Sequence, residues 1–234
     1  MSEKRNVISR REAIAGAVAA GGGAGLFVLL RGGPDQADSA STTSASAAAS
    51  PSCILAPEQT EGPYYIDDGL VRSNITEGRK GVALQLRLQV LDATSCKPIK
   101  GATLEVWHCD AVGNYSGFSP PTSQKTFLRG GQRSNAAGNV VFRTIYPGWY
   151  RGRTTHIHVK VHVAGKEVHT GQLYFKDAVS AAVYKSRSPY KTRGQKDTPN
   201  SQDGPFGQGG KQSTLRLTRH GSGYIGRLAL GVRT

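Results

Sequence analysis

The sequence predicts an all-β fold, an antiparallel β-sandwich with long surface loops, for the part of the chain that follows residue 52. Several segments alternate apolar and polar residues with a period of two, as half-buried strands do. Short clusters of Gly, Pro, Asn, Asp and Ser separate these segments. No segment except residues 177–184 suggests a helical period. These observations favour two packed sheets over a helical or mixed fold.

The clearest predicted strand is residues 82–91, where Leu84, Leu86 and Leu88 share one face and Arg87 lies on the other. Further strands are predicted at residues 102–107, 139–144, 155–163, 167–175, 213–217 and 224–232. The last of these is expected to be broken at Gly226, because glycine weakens a strand interior. Residues 180–210 are polar and are predicted to form a long surface loop.

The N-terminal part of the chain has the composition of an export segment followed by a linker. Arg10 and Arg11 precede an uncharged run at residues 13–30, and residues 1–31 resemble a twin-arginine export signal. Glycines in the run argue against a stable membrane span. Residues 32–52 are predicted to be an Ala/Ser-rich linker, which leaves residues 53–234 as one β-sandwich domain in the periplasm or outside the cell. The cleavage site and the final compartment stay open.

The chain has three cysteines, which in an exported protein allow one disulfide and one free thiol. Cys53 precedes the predicted domain and Cys96 lies in a predicted turn, so we favour a disulfide between them without excluding other pairings. Cys109 ends a predicted strand and is expected to be a small buried side chain.

The net charge of +14, from 30 Lys and Arg against 16 Asp and Glu, suggests attraction to anions. No nucleic-acid motif or pattern of stacking aromatics accompanies this charge, so we expect no nucleic-acid partner. Weak binding to anionic wall or lignin polymers and simple solvation of the charged surface both remain open.

A His-x-His pair is the strongest local signal for chemistry. Alternation along a strand puts His156 and His158 on one face, where two imidazoles can bind a metal. Lys160 and His162 continue that face, so an ordinary polar strand face is the alternative. Other histidines and carboxylates are scattered, whereas tyrosines follow predicted turns. A phenol with a normal pKa near 10 becomes an anionic ligand only beside a strongly Lewis-acidic ion, a demand that ferric iron suits best.

Four motifs, in order, resemble the intradiol ring-cleavage dioxygenases across about residues 57–232. They are Gly113-Asn114-Tyr115-Ser116, the segment from Phe142 to Tyr150, Arg153-Thr154-Thr155-His156-Ile157-His158, and Gln172-Leu173-Tyr174-Phe175. The segments from Glu58 to Tyr65 and from Trp107 to Ala111 are similar to those of an exported branch of the family.

The resemblance implies a mononuclear non-haem Fe(III) held by Tyr115, Tyr150, His156 and His158. Tyr150 would be the ligand displaced when a catechol binds. Arg153 would stabilise negative charge on the substrate, and Gln172 would hydrogen-bond near the substrate or a reaction intermediate. The implied reaction inserts both atoms of O2 into a catechol-type ring and gives a cis,cis-muconate-type diacid.

Other interpretations remain at this stage. The chain could be a non-catalytic exported sandwich that binds aromatic or cell-wall ligands. A copper/zinc superoxide dismutase fits poorly, because the remaining histidines do not supply a two-metal pattern. No long helical N-terminal region of the kind that dimerises catechol-cleaving relatives is evident, so a homo-oligomer is left open, as is the preferred catechol. Residues 61–65, Asp110 and Trp149 are expected near the entrance of the site.

Overall fold

Alternating apolar residues build two four-stranded sheets that pack face to face. The structure, a computed structural model, describes residues 53–118 and 120–234; the predicted export signal and linker lie outside these residues. The first sheet has the strand order β4-β1-β8-β7 and the second the order β3-β2-β5-β6. The all-β sandwich fold predicted from the sequence is confirmed.

The strands are β1 (Ala83–Asp92), β2 (Thr103–Trp107), β3 (Arg129–Arg133), β4 (Asn139–Ile145), β5 (His156–Val163), β6 (Lys166–Tyr174), β7 (Arg216–His220) and β8 (Gly223–Val232). Helix α1 is Asp177–Ser186 and the short helix α2 is Gly204–Gly207. Within the described residues, no helix is long and apolar enough to cross a membrane.

The core lies between the two sheets and follows the period of two. Leu84, Leu86 and Leu88 of β1 face Ile157 and Val159 of β5, and all are almost fully buried. Since successive side chains of a strand point to opposite faces, the residues between Ile157 and its apolar neighbours lie on the outer face of the second sheet. That outer face carries the candidate site.

One strand pair departs from the antiparallel pattern. Strand β1 pairs antiparallel with β4 but parallel with β8. A parallel pair needs a long crossover connection. Here the chain between β1 and β8 includes all four strands of the second sheet.

Three local predictions need correction. Strand β3 was not predicted because its sequence, RGGQR, lacks residues that favour strands; it nevertheless pairs with β2 over five residues. The expected break at Gly226 is wrong, since Gly226 lies inside β8 opposite Leu217. A Cβ at Gly226 would lie 3.1 Å from a methyl group of Leu217, so the glycine makes room for that side chain.

The third correction concerns residues 180–210, which are not simply a surface loop. They include most of α1, two short 3₁₀ helices and all of α2. Tyr190 is 1% exposed and Asp203 is 2% exposed, so parts of this polar segment are anchored in the protein interior. The composition of the segment does not reveal these buried residues, because each is a single residue among exposed ones.

The structure pairs Cys53 with Cys96, with Cα atoms 5.4 Å apart. Cys109 is free and buried. The disulfide attaches the start of the described chain to the turn that follows β1.

Candidate metal centre

Strand β5 presents the two histidines on the outer face of the second sheet. His156 is 3% exposed and His158 is fully buried, and their Nε2 atoms are 3.2 Å apart. The ring of His158 stacks on Trp107, with centroids 4.9 Å apart and planes 5° from parallel. Trp107 is the register partner of His158 on β2, so the pairing of two strands fixes this imidazole.

Two interlocked loops bring the tyrosines to the histidines. The loop after β2 turns tightly because Asp110 accepts hydrogen bonds from the backbone N–H groups of Val112 and Asn114. Gly113 has φ +92°, and a Cβ there would lie 2.4 Å from the carbonyl oxygen of Trp149. The absence of a side chain at this position lets the loop that carries Tyr115 pack directly against the loop that carries Tyr150.

The four predicted ligands converge on one point. The phenol oxygen of Tyr150 is 3.2 Å from His156 Nε2, and that of Tyr115 is 3.5 Å from the same nitrogen. Tyr115 is 5% exposed, whereas Tyr150 is only partly buried. The structure therefore brings together residues that are up to 43 positions apart in the sequence, from the loop after β2, the loop before β5 and β5 itself.

Hydrogen bonding and burial prepare His156 to bind a cation. Its Nδ1 lies 2.7 Å from the carbonyl oxygen of Thr154, which can only accept, so Nδ1 carries the proton and Nε2 keeps its lone pair. Burial, assisted by Arg153, lowers the pKa of His156 to about 3. Burial likewise lowers the pKa of His158 well below its usual range. Both imidazoles are therefore neutral at pH 7 and able to act as ligands.

The tyrosines need a cation before they ionise. Burial raises the pKa of Tyr150 to about 12, although the nearby Arg153 opposes that rise. Burial also raises the pKa of Tyr115 well above its ordinary value. At pH 7 the phenols stay protonated unless a strongly Lewis-acidic ion takes the place of their protons.

The donor set fits a metal with a preference for oxygen and nitrogen. Metal–imidazole bonds of about 2.0–2.1 Å at right angles put two ligand nitrogens about 3 Å apart, close to the separation found between the two histidines. His158 Nδ1 is buried and has no hydrogen-bond partner within the described residues. Among those same residues, no three His, Cys, Asp or Glu side chains form a metal-binding group. The tyrosine oxygens supply the remaining donors.

Arg153 is held beside the tyrosine by a network that the sequence did not reveal. Its Nε donates to Asp203 at 2.8 Å, one NH2 group donates to Gln172 Oε1 at 2.5 Å, and the other lies 3.3 Å from the Tyr150 oxygen. Asp203 also accepts from the backbone N–H groups of Thr154 and Phe206. These contacts hold the guanidinium at a fixed distance from Tyr150.

Gln172 contacts the protein with both of its polar atoms. Oε1 accepts from Arg153 and from the hydroxyl of Tyr174, and Nε2 donates to the carbonyl oxygen of Thr60. The structure thus places Gln172 behind Arg153, where it orients the guanidinium.

The N-terminal arm, residues 56–65, covers the site. Gln59 accepts from the backbone N–H of Gln172, while Glu58 accepts from His169 and the backbone of Thr170. Gly62 has φ +72°, and a Cβ there would lie 3.2 Å from a ring carbon of His158. The arm is therefore part of the wall of the site.

Tyr64 of the arm packs on both candidate tyrosine ligands. Its ring stacks on Tyr115 with centroids 4.2 Å apart and meets Tyr150 edge-on at 5.8 Å. Arg129, on the unpredicted strand β3, is 3% exposed and donates to the carbonyl oxygens of Tyr64 and Ser116. This arginine fixes the arm to the loop that carries Tyr115. Sequence analysis missed it because β3 itself was missed.

The other residues expected near the entrance have structural contacts. Asp110 is buried and closes the turn before Tyr115, and Trp149 stacks under the guanidinium of Arg193 at 4.5 Å. Burial raises the pKa of the Cys109 thiol to about 12, which keeps it a thiol at pH 7.

Comparison with known proteins agrees with this geometry. A family model described as dioxygenase matches residues 56–186, more than half of the chain. An intradiol ring-cleavage dioxygenase from Tetranychus urticae is 38% identical over 77% of this chain and 95% of its own, with a TM-score of 0.73. The dioxygenase domain of a carbohydrate-binding fusion protein from Streptomyces sp. SirexAA-E is 30% identical over 77% of this chain and 99% of its own, with a TM-score of 0.60.

Curated relatives match a shorter stretch. A chlorocatechol 1,2-dioxygenase from Cupriavidus pinatubonensis is 31% identical in a 141-residue alignment that covers 50% of this chain and 53% of that relative. The chain thus spans about half the length of this relative. The match of more than half of the chain to the dioxygenase family model, together with the 38% identity to the Tetranychus urticae enzyme, shows that the chain belongs to the intradiol ring-cleavage dioxygenase family.

Proposed function

We propose that the protein is an intradiol dioxygenase that inserts both atoms of O2 into catechol-type aromatics and gives cis,cis-muconate-type diacids. The observation that carries the proposal is the convergence of two phenol oxygens and two imidazole nitrogens, with neighbouring donors 3.2–3.5 Å apart. Tyr115, Tyr150, His156 and His158 would hold a mononuclear non-haem Fe(III). When bound, that ion supplies the Lewis acidity that lets a catechol bind as a dianion and makes its ring reactive toward O2.

The two tyrosines have different surroundings and different roles. Tyr115 is buried under Tyr64 and is suited to remain a fixed ligand. Tyr150 is partly exposed, and its phenol has a pKa of about 12 because of burial. Once it is no longer a metal ligand, its phenolate would be a strong enough base to take a proton from a catechol hydroxyl. We assign that proton to the Tyr150 oxygen.

Arg153 supplies a fixed positive charge where the substrate becomes negative. Its side chain is 17% exposed and its guanidinium lies against Tyr150, so water screens the charge only in part. Because Asp203 and Gln172 hold it in place, little reorganisation is needed when charge develops on the ring. Gly62 and Tyr64 of the arm pack against His158 and the two tyrosines.

The test is oxygen uptake by the ferric-loaded protein. Catechol, methylcatechols, protocatechuate and hydroxyquinol are offered in turn, and the product is identified by its absorbance and mass. The proposal predicts one O2 consumed per ring and a diacid that contains both oxygen atoms from ¹⁸O2. Absence of uptake with every catechol by protein that has bound ferric ion would refute it.

A pair of matched variants separates the site from the fold. Tyr150→Phe removes one candidate donor and should reduce turnover by at least about a hundredfold, the loss typical of a group that moves a proton in the reaction. Tyr224→Phe makes the same change in β8 of the other sheet and should leave turnover unchanged. Equal activity of the two variants would contradict the role of Tyr150.

The proposal includes export through the twin-arginine signal at Arg10 and Arg11. The disulfide between Cys53 and Cys96 supports it, because such bonds persist in oxidising compartments. Fractionation of producing cells should find the wild-type chain outside the cytoplasm and the Arg10→Lys/Arg11→Lys variant inside it. Export of both forms alike would argue against a twin-arginine signal.

A further inference from the structure

The outer face of the first sheet carries a row of arginines at the same level of three neighbouring strands. Arg216 of β7 lies opposite Arg227 of β8, and Arg227 lies opposite Arg87 of β1. Arg143 of β4 lies opposite Gln85, one step along the same face. Neighbouring strands are about 4.7–4.9 Å apart, so the row offers guanidinium groups at short, regular intervals. We call these four residues the arginine face.

The charges on the arginine face are not neutralised by the protein. All four arginines are exposed, and none forms a salt bridge within residues 53–118 and 120–234. Arg87 donates to Gln85, and Arg227 donates to the hydroxyl of Thr218; both partners are neutral. Like charges directly opposite one another on neighbouring strands destabilise a sheet. A bound polyanion would remove that cost.

The surrounding side chains indicate what kind of polyanion fits. A groove of about 530 Å³ crosses this face. Its polar lining consists of three arginines and four amides, and its apolar lining of five aliphatic residues: Arg87, Arg216, Arg227, Gln85, Gln89, Asn135 and Asn139, with Leu88, Val140, Val141, Leu228 and Ala229. Its described lining includes no Asp, no Glu and no aromatic residue. Amides bind hydroxyl groups through hydrogen bonds, whereas nucleotide bases need aromatic platforms for stacking.

We propose that the arginine face binds a linear anionic polysaccharide, with its acidic groups on the arginine row and its hydroxyls on the amides. Charge complementarity and the extended shape of the strand face both suit such a chain. Arg87 alternates with Leu86 and Leu88, which face the core, so the arginine face is the outward side of the first sheet. The metal site lies on the outward side of the second sheet, and bound polymer leaves it open to solution.

Polygalacturonate, which carries one carboxylate on each sugar unit, is the probe for this surface. Binding of the full chain is measured by co-sedimentation or surface plasmon resonance at low and high salt. The Arg87→Gln/Arg216→Gln/Arg227→Gln variant should bind at least about tenfold more weakly, since each exposed ion pair adds a modest contribution. Wild-type binding should weaken as salt rises.

A charge-matched control distinguishes the arginine face from net charge alone. Arg133→Gln/Lys166→Gln/Lys191→Gln removes three exposed cations from other surfaces and should bind within about twofold of wild type. Neutral dextran should not bind. An equal loss in the control, no binding of wild type, or tighter binding to duplex DNA or anionic vesicles than to polygalacturonate would each overturn the proposal.

A single substitution tests the proposal even if the triple variant folds poorly, because its stability and its activity are measured beside its binding. Arg227→Gln, at the centre of the row, removes both like-charge contacts and should keep or raise the melting temperature while it weakens binding. Oxygen uptake with catechol should match wild type in the same variant. A fall in the melting temperature together with lost binding would show that Arg227 is structural and contradict the proposal.

Discussion

Replacement of Asp203 by Asn tests how the site is held together. Asp203 Oδ2 accepts from Arg153 Nε at 2.8 Å and from the backbone N–H of Thr154 at 2.9 Å, and Oδ1 accepts from the backbone N–H of Phe206 at 2.8 Å. Every neighbour is a donor, so the amide NH2 group of Asn must face at least one of them. The substitution removes the negative charge that pairs with Arg153. The Asp203 side chain is 0% exposed, so water cannot replace that partner.

The expected cost follows from that burial. Loss of one partner of a buried ion pair typically costs about 3–5 kcal/mol. Since Arg153 keeps 17% of its side chain exposed, we expect the lower end, about 3 kcal/mol, in urea unfolding. Misplacement of the guanidinium by about 1 Å should lower kcat about a hundredfold with a smaller change in KM.

Asp177→Asn is the matched control. Asp177 also accepts from a cation, Lys196, but its side chain is 45% exposed. Lys196 is only 8% exposed, but water reaches the Asp177 carboxylate and screens the pair, so this variant should lose less stability than Asp203→Asn and should keep its kcat. Wild-type stability and turnover in Asp203→Asn would refute the positioning role of Asp203.

Three further predictions follow from single contacts. Gly62→Ala should cost about 1–2 kcal/mol and weaken metal binding, because the residue has φ +72° and its Cβ would press on His158; unchanged metal affinity would contradict the wall role of the arm. Burial lowers the pKa of His108 to about 4, so the unfolded chain takes up a proton on this residue at a higher pH than the folded chain does. The free energy of unfolding should therefore fall as the pH drops from 6.5 toward 4, by up to about 3 kcal/mol from this residue. Urea titration at each pH should show a shallower fall for His108→Gln. Removal of both Cys53 and Cys96 should cost about 2–4 kcal/mol under oxidising conditions, since the bond closes a 43-residue separation, and the difference from wild type should vanish in reductant.

The parts of the fold that sequence alone predicted are those with local signals. The alternation in β1 and β5 determines which side chains face the core, and it therefore put His156 and His158 side by side. Strand β3 was not predicted because Gly130 and Gly131 have no strand preference of their own. They form a strand because they pair with β2. Residues 180–210 were misjudged because their few anchors, such as Tyr190, contact distant parts of the chain.

In the candidate site too, sequence analysis predicts local features and misses contacts between distant residues. Positions after predicted turns made the tyrosines candidate donors, but only resemblance to a family assigned them as ligands, since nothing local connects Tyr115 to a histidine 41 residues away. Asp203 lies 50 residues from Arg153 in the sequence, and Gln59 lies 113 residues from Gln172. Periodicity carries no information over such distances, so these contacts appear only once the sheets and the arm are in place.

The most direct test of the account is a ferric titration of the metal-free protein followed by visible absorption. Two tyrosine oxygens on one Fe(III) predict a broad visible band that saturates at one ion per chain, because phenolate-to-iron charge transfer absorbs visible light. Tyr115→Phe and Tyr150→Phe should each shift or weaken that band, whereas Tyr224→Phe should reproduce the wild-type spectrum. A protein that binds ferric ion without colour, or a band that neither site variant changes, would contradict the proposed centre.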